Sequence, residues 1–418
     1  VFNMSYKLLR KLSYSNLDIY REEAKSRLTN PLAVKTSLKI TPYMREQKIY
    51  DKKYELFYLP TQELTKLKEM LFLNSKIIIE LQESLPTIAQ KKVFLDNLLE
   101  EIKSTNDIEG VHSSRREIEE AIDVVLQKSE KNKRFVGIVN LYMKFQDSEY
   151  SEIKKCEDIR KIYDELLKDE IEPKKLPDGK LFRTDKVYVN KNGRPVHEGV
   201  GKNDNIEEDI TKEIEILINF MNSHDITSIE KCLISHYYLE YIHPFYDGNG
   251  RLGRFIACSY LSRKLDYLSA ISFSTSIKKK RGVYGTSFSE VSNPRNLGEI
   301  TGFIIDMLNL LIEGQQNIID ELSEGKNLLS QIGEYLKTLD LAEEEQTIMF
   351  ILAQDYLFSR FNRLEDRELW QITKRKVSRR KLKIALEKLV KTGYLVQIKQ
   401  KPSIHMFSKN FIDTVNKL

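Results

Sequence analysis

The stretch His243-Pro-Phe-Tyr-Asp-Gly-Asn-Gly-Arg-Leu-Gly-Arg254 (HPFYDGNGRLGR) lies between two helical runs and packs dense polar chemistry into twelve positions. The run before it, Ile229–Ile242, is apolar on one face through Leu233, Ile234, Tyr237, Tyr238 and Tyr241. Pro244 biases His243 out of the right-handed α region, so that helix is expected to end there, with His243 projecting into a loop. A second helix is expected from about Gly250 to Lys264. Its N-terminus offers unpaired N–H groups and partial positive charge, which suit a phosphate. Gly248 and Gly250 allow backbone amides to approach an anion closely.

Arg251 and Arg254 stand three apart in the first turn of that helix and can face one anion. Two arginines there oppose the helix dipole, which argues against a purely structural role. Asp247 beside an anion site makes sense as a ligand for Mg²⁺, which usually takes one or two carboxylates plus phosphate oxygens. His243 can accept a proton from an attacking hydroxyl. Together these residues describe phosphoryl or nucleotidyl transfer, in which positioning and electrostatics do most of the catalysis.

The twelve residues match at each fixed position the Fic family signature HPFx[D/E]GN[G/K]RxxR, and the surrounding chain resembles the all-helical Fic core. The resemblance implies a protein adenylyltransferase that moves AMP from ATP to a Ser, Thr or Tyr hydroxyl of a target protein or of itself, releasing pyrophosphate. It assigns His243 as base and Asp247 as Mg²⁺ ligand. By the same resemblance, Gly248, Asn249 and Gly250 would form the anion hole, with Asn249 at the α-phosphate, Arg251 at the β-phosphate and Arg254 at the γ-phosphate. Thr105-Asn-Asp-Ile-Glu109-Gly110 resembles the family's inhibitory pattern [S/T]xxxE[G/N], in the N-terminal arrangement of class II. Glu109 would then pair with Arg254 and occupy the guanidinium that grips the γ-phosphate, or position water for removal of AMP. Tyr284, in KKKRGVYGTSF, is the resemblance's candidate beside the adenine. Lys186 and Val187 are its candidates for a flap that clamps the target.

The rest of the chain reads as mainly α. Residues 1–130 are expected to form an N-terminal helical region with the inhibitory motif, 131–325 the Fic core with a small β-hairpin flap, and 326–418 a winged-helix domain. The 59–86 segment repeats apolar residues at three- and four-residue spacing. A further helix pair is divided near Gly110, with Ser113 or Ser114 and Glu117 placed for a capping box. Phe182–Val189, rich in β-branched and aromatic residues and followed by Asn192-Gly193, reads as a strand of the hairpin. The helix that starts near Leu297 is expected to reach Leu322.

Three helical runs and then a hairpin over the last ninety residues follow winged-helix order. From Ser359 to Lys401 there are 14 Lys/Arg against 4 Asp/Glu, whereas the whole chain carries only +5. That surface suits DNA phosphates, or docking of a target or a second copy of the chain. A DNA-binding regulator whose core senses nucleotide, and transfer of a different nucleotidyl or phosphoryl group, are the competing functional readings. The intact His243 favours the enzyme, since a sensor needs no base there. Cys156, Cys232 and Cys258 are scattered and fit a reducing, cytoplasmic setting. No run approaches the roughly 20 apolar residues of a membrane span, and the N-terminus lacks a secretory-signal pattern.

Overall fold

The computed structural model describes residues 6–129, 133–147, 149–150, 152–191, 193–202, 205–359, 363–375 and 377–417. Asn192 of the expected turn lies outside them. The architecture is mainly helical with small two-stranded sheets. No helix among the described residues is long and apolar enough to cross a membrane. The chain forms two compact units: Val1–Lys76 with Glu100–Gln316, and Ile77–Leu99 with Asn317–Leu418.

In the first unit, Ser228–Ile242 is the central helix. It was expected to bury one apolar face, yet Glu230, Lys231, Ser235 and His236 are buried as well, because neighbouring elements cover it on all sides. Ile206–Asn222 and Asn249–Lys264 pack along it. Thr87–Ile108 ends in this unit, and Gly110 at φ +73° turns the chain out of it. Arg115–Leu126 follows, and Ser114 and Glu117 close the expected capping box.

Two expectations need correction in this unit. The N-terminal region is not purely helical, because Val34–Ile40 pairs antiparallel with Tyr54–Tyr58. The hairpin does not begin at Phe182; its strands are Tyr188–Lys191 and Arg194–Glu198. Phe182 and Arg183 are fully buried, and the Glu207 carboxylate accepts the backbone N–H groups of Lys180, Leu181 and Phe182. Donors held by a carboxylate cannot enter a ladder, so pairing starts six residues later than expected.

Thr301–Thr338 runs well beyond Leu322, with no proline or cap to stop it. Within the second unit, its Gly325 lies where a Cβ would come 2.4 Å from the Phe358 ring, so the glycine permits close packing. The helices Glu343–Phe358, Asp366–Thr373 and Arg379–Lys391 precede an antiparallel pair, Leu395–Gln400 with Ser403–Phe407. This is the element order expected of a winged helix, with a short closing helix at Lys409–Val415. Leu382, Ala385, Leu386 and Leu389 form the buried face of its third helix.

Candidate active site

The 243–254 loop is fixed by its main chain. His243 ends the central helix at φ 53°, ψ 62°, left-handed rather than extended. A non-glycine residue held there costs on the order of 1 kcal/mol, so the surroundings must impose it. The His243 N–H donates to the Leu239 carbonyl at 3.0 Å, and Arg183 Nε donates to the His243 carbonyl at 2.9 Å. Arg183 also donates to the Val200 carbonyl, and its own N–H donates to the Pro244 carbonyl. Burial pushes the Arg183 guanidinium down to about 10. A Cβ on Gly199 would fall 2.4 Å from Arg183 Nη2 and 3.2 Å from His243 Cβ, so the arginine needs that glycine.

Further along, Phe245 stacks on Tyr163 at 3.7 Å between ring centres, and the Tyr163 hydroxyl donates to the Asp247 carbonyl. Both amide atoms of Asn249 bind the Phe245 main chain, at 2.9 and 2.7 Å. Its side chain therefore shapes the loop in this structure rather than reaching out to a phosphate. Gly248 takes φ +80°, where a Cβ would strike Leu167 at 2.2 Å. The helix starts at Asn249, and its first-turn N–H groups have no intrahelical acceptor.

Arg254 is 1% exposed. Its Nη2 lies 2.8 Å from Glu109 Oε1, its Nε donates to Thr105 Oγ1 at 2.9 Å, and Nη2 also reaches the Thr105 carbonyl. Glu109 does more than pair. A Cβ on Gly250 would lie 2.2 Å from Glu109 Oε1, so the carboxylate rests against the bare first turn of the helix. It stands where an anionic ligand would be drawn by that N-terminus and by Arg254. The motif's end is anchored by Arg281 Nη2, which donates to the Ile108 carbonyl, and by Lys278 on Asp107.

Arg251 is placed differently. Its Nη1 meets Glu170 Oε2 at 2.8 Å, with both side chains buried, while Nη2 stands 4.0 Å from Asp247. Asp247 is paired with Lys175 at 2.9 Å and is about one-third exposed. Among the described residues no cluster of three or more His, Cys, Asp or Glu could hold a metal alone. One accessible carboxylate already drawing an ammonium is nevertheless what a Mg²⁺ shared with phosphate oxygens requires. The residues present fit such an ion, and Asp247 is the one that would hold it.

His243 opens onto a cavity of about 400 Å³, also lined by Glu109, Gly250, Arg254 and Tyr284. Its Nδ1 lies 3.3 Å from the Glu240 carbonyl, so with Nδ1–H donating there, Nε2 is left as acceptor. Burial and the neighbouring Arg183 charge pull its pKa down to about 4, which keeps the ring neutral at pH 7. Tyr284 is buried on the cavity wall, hydrogen-bonded to His236 Nε2 at 2.8 Å. Val189, Asn190, Val196 and His197 of the hairpin also line the cavity. Lys186 and Val187 lie just before the hairpin. Lys186 is exposed, 3.7 Å from Glu198, and Val187 accepts the Gly199 N–H.

The structure thus gathers His243, Glu109, Gly250, Arg254 and Tyr284 on one cavity, with Thr105 on Arg254 from behind. Asp247 and Arg251 form a second group with Lys175 and Glu170. Sequence reasoning missed Arg183, Glu170, Lys175 and Glu240. Only Glu240 left a local signal, three residues before His243 and so within one helical turn. Burial raises the Glu240 carboxyl to about 8, and Glu109 pushes the same way.

Residues 154–261 match the profile of the Fic/DOC family, a segment that contains the whole 243–254 motif. Solved structures similar to this chain include a Fic family protein from Desulfovibrio desulfuricans. It has 15% identity and TM-score 0.49, covering 84% of this chain and 98% of that one. A fragment of Fic-1 from C. elegans has 18% identity and TM-score 0.43, covering 62% of this chain and 74% of that one. A Fic domain containing signaling protein from Bacteroides thetaiotaomicron has 16% identity and TM-score 0.40, covering 63% and 98%. No curated protein matches the chain. The segment 154–261 is thus what the chain shares with the Fic/DOC family.

Proposed function

We propose that the protein is an adenylyltransferase that transfers AMP from ATP to a hydroxyl of a target protein or of itself, and that Glu109 restrains it. The observation that carries this reading is the position of the Glu109 carboxylate, 2.8 Å from Arg254 and against Gly250. A side chain holding the site's buried guanidinium and its bare helix N-terminus occupies the seat of a polyanion.

With Glu109 displaced, Arg254 takes the γ-phosphate and the first-turn amides take the α-phosphate. The base rests in the cavity near Tyr284. His243 Nε2 removes the proton of the incoming hydroxyl as its oxygen attacks the α-phosphorus, and the bond to pyrophosphate breaks. Neutral imidazole is the form needed, and the lowered pKa supplies it at pH 7. Mg²⁺ on Asp247 would neutralise charge on the phosphates. Arg251, held by Glu170, keeps a second cation beside that carboxylate.

Intact-mass spectrometry after incubation with Mg-ATP tests the proposal on wild type, Glu109→Gly and Glu109→Gly/His243→Ala. The expected result is a gain of one AMP in Glu109→Gly, at least tenfold above wild type and lost in the double variant. If Glu109→Gly binds ATP and gains no AMP on itself or on proteins of a cell extract, the reading fails.

A further inference from the structure

We propose that the winged helix binds duplex DNA, with Arg379–Lys391 in the major groove and the 395–407 hairpin against the flanking backbone. The argument rests on which basic residues are paired. The buried row of the helix is Leu382, Ala385, Leu386 and Leu389. On one flank, Lys381 and Lys388, seven positions apart, are paired with Glu344 and Glu345, at 2.8 Å each. The row opposite the core holds Arg380, Lys383, Ile384, Glu387 and Lys391, all exposed. Lys383 approaches Glu387 only to 3.9 Å, and Arg380 has no acidic partner among the described residues. The helix thus neutralises one side against its own fold and carries three basic residues against one acidic residue on its outward row.

The same sign continues on both neighbours of that row. Arg375 is exposed in the turn between Asp366–Thr373 and Arg379–Lys391, and Lys399 and Lys401 are exposed at the end of the hairpin. Basic charge on a turn, a helix and a wing matches phosphates on the two walls of a groove that admits a helix. Ser378 caps the helix, and its first turn contains no acidic residue, so the N-terminal partial charge adds to the effect. An acidic protein surface would need positive charge but not its distribution over a turn, a helix and a wing. The proposal does not depend on the nucleotide chemistry above.

The test is fluorescence anisotropy of the full chain with a labelled duplex of about two helical turns, beside polyglutamate of equal charge. Six phosphate contacts predict about a thousandfold loss of affinity between 50 and 200 mM salt. Arg380→Ala/Lys383→Ala is expected to weaken duplex binding at least tenfold. Lys399→Ala/Lys401→Ala is an independent check on the wing, expected to weaken it severalfold. All four side chains are exposed, and far-UV circular dichroism checks the fold. Duplex affinity unchanged in both variants would overturn the proposal. Polyglutamate binding as tight as duplex binding would also overturn it and assign the surface to an acidic protein.

Discussion

The two units use arginine in opposite ways. In the first, Arg183, Arg251 and Arg254 are among the largest fully buried side chains, and each has a defined partner. In the winged helix, Arg375 and Arg380 stand in solvent. A buried guanidinium must be matched atom by atom, because leaving it unmatched is expensive in a low dielectric. It can therefore be specific for one ligand geometry, and something must fill the place when that ligand is absent. An exposed guanidinium needs no such filler. It acts through long-range charge that salt screens, and discriminates less. Glu109 fills the place beside Arg254 in the first unit, whereas the acidic residue on the outward row of Arg379–Lys391 is Glu387, which comes only within 3.9 Å of the exposed Lys383.

The sharpest way to break that contrast is to remove one arginine from each unit. Arg254→Ala deletes a buried ion that holds Glu109 and Thr105, and is expected to destabilise the protein by about 3 kcal/mol. Arg380→Ala is expected to leave stability unchanged within error. Urea denaturation of the full chain measures both, and equal effects would show that burial is not what separates the two sets.

Next in size is removal of the filler. Glu109→Gln leaves the Arg254 charge buried without its carboxylate, which is expected to destabilise the apo protein by about 2 kcal/mol. ATP then replaces what was lost. A ligand at 100 times its Kd adds about 2.7 kcal/mol, so the thermal shift with Mg-ATP is expected to be larger in Glu109→Gln than in wild type. On the proposed reading, part of the ATP binding energy in wild type is used to displace Glu109. A smaller shift in the variant would mean that Glu109 helps to hold the nucleotide.

How much of this was legible follows from range. The 243–254 loop could be read because its parts are local: a proline after the histidine, glycines before the helix, arginines three apart. The Glu109–Arg254 pair spans 145 positions, and only the family resemblance joined it. Arg183 could not be found, because its acceptors are backbone carbonyls, which leave no side-chain signature. The hairpin was displaced for a related reason. Phe182–Val189 has strand composition, but the distant Glu207 takes the amides a strand would use. The three helices before the final hairpin, and that hairpin, were legible almost element by element: Asp366–Thr373 and Arg379–Lys391 bury one face with helical period, and Glu343–Phe358, buried at five consecutive positions from 351 to 355, reads as an apolar run long enough for a helix.

Glu240 supplies the smallest effect and refines the rule. It is a buried carboxyl 3.9 Å from His243 Nδ1, and its Oε1 has no hydrogen-bond partner. A Cβ on Gly253 would lie 2.3 Å from that oxygen, so the space around it is tight. With its folded pKa raised by burial to about 8 from the ordinary 4.5, the folded protein holds a proton at pH 6 to 7 that the unfolded chain has released. The stability this contributes is complete below the unfolded value and is lost as pH rises toward the folded one. Gln mimics the protonated acid and cannot titrate. Relative to Glu240→Gln, wild type should therefore lose about 1 kcal/mol between pH 6 and pH 7, read as the difference between two urea titrations. A flat difference would mean that Glu240 is ionised and counts among the charges balancing Arg254. A falling one would mean that Glu109 alone balances that arginine, and that an acid kept neutral lies beside the base.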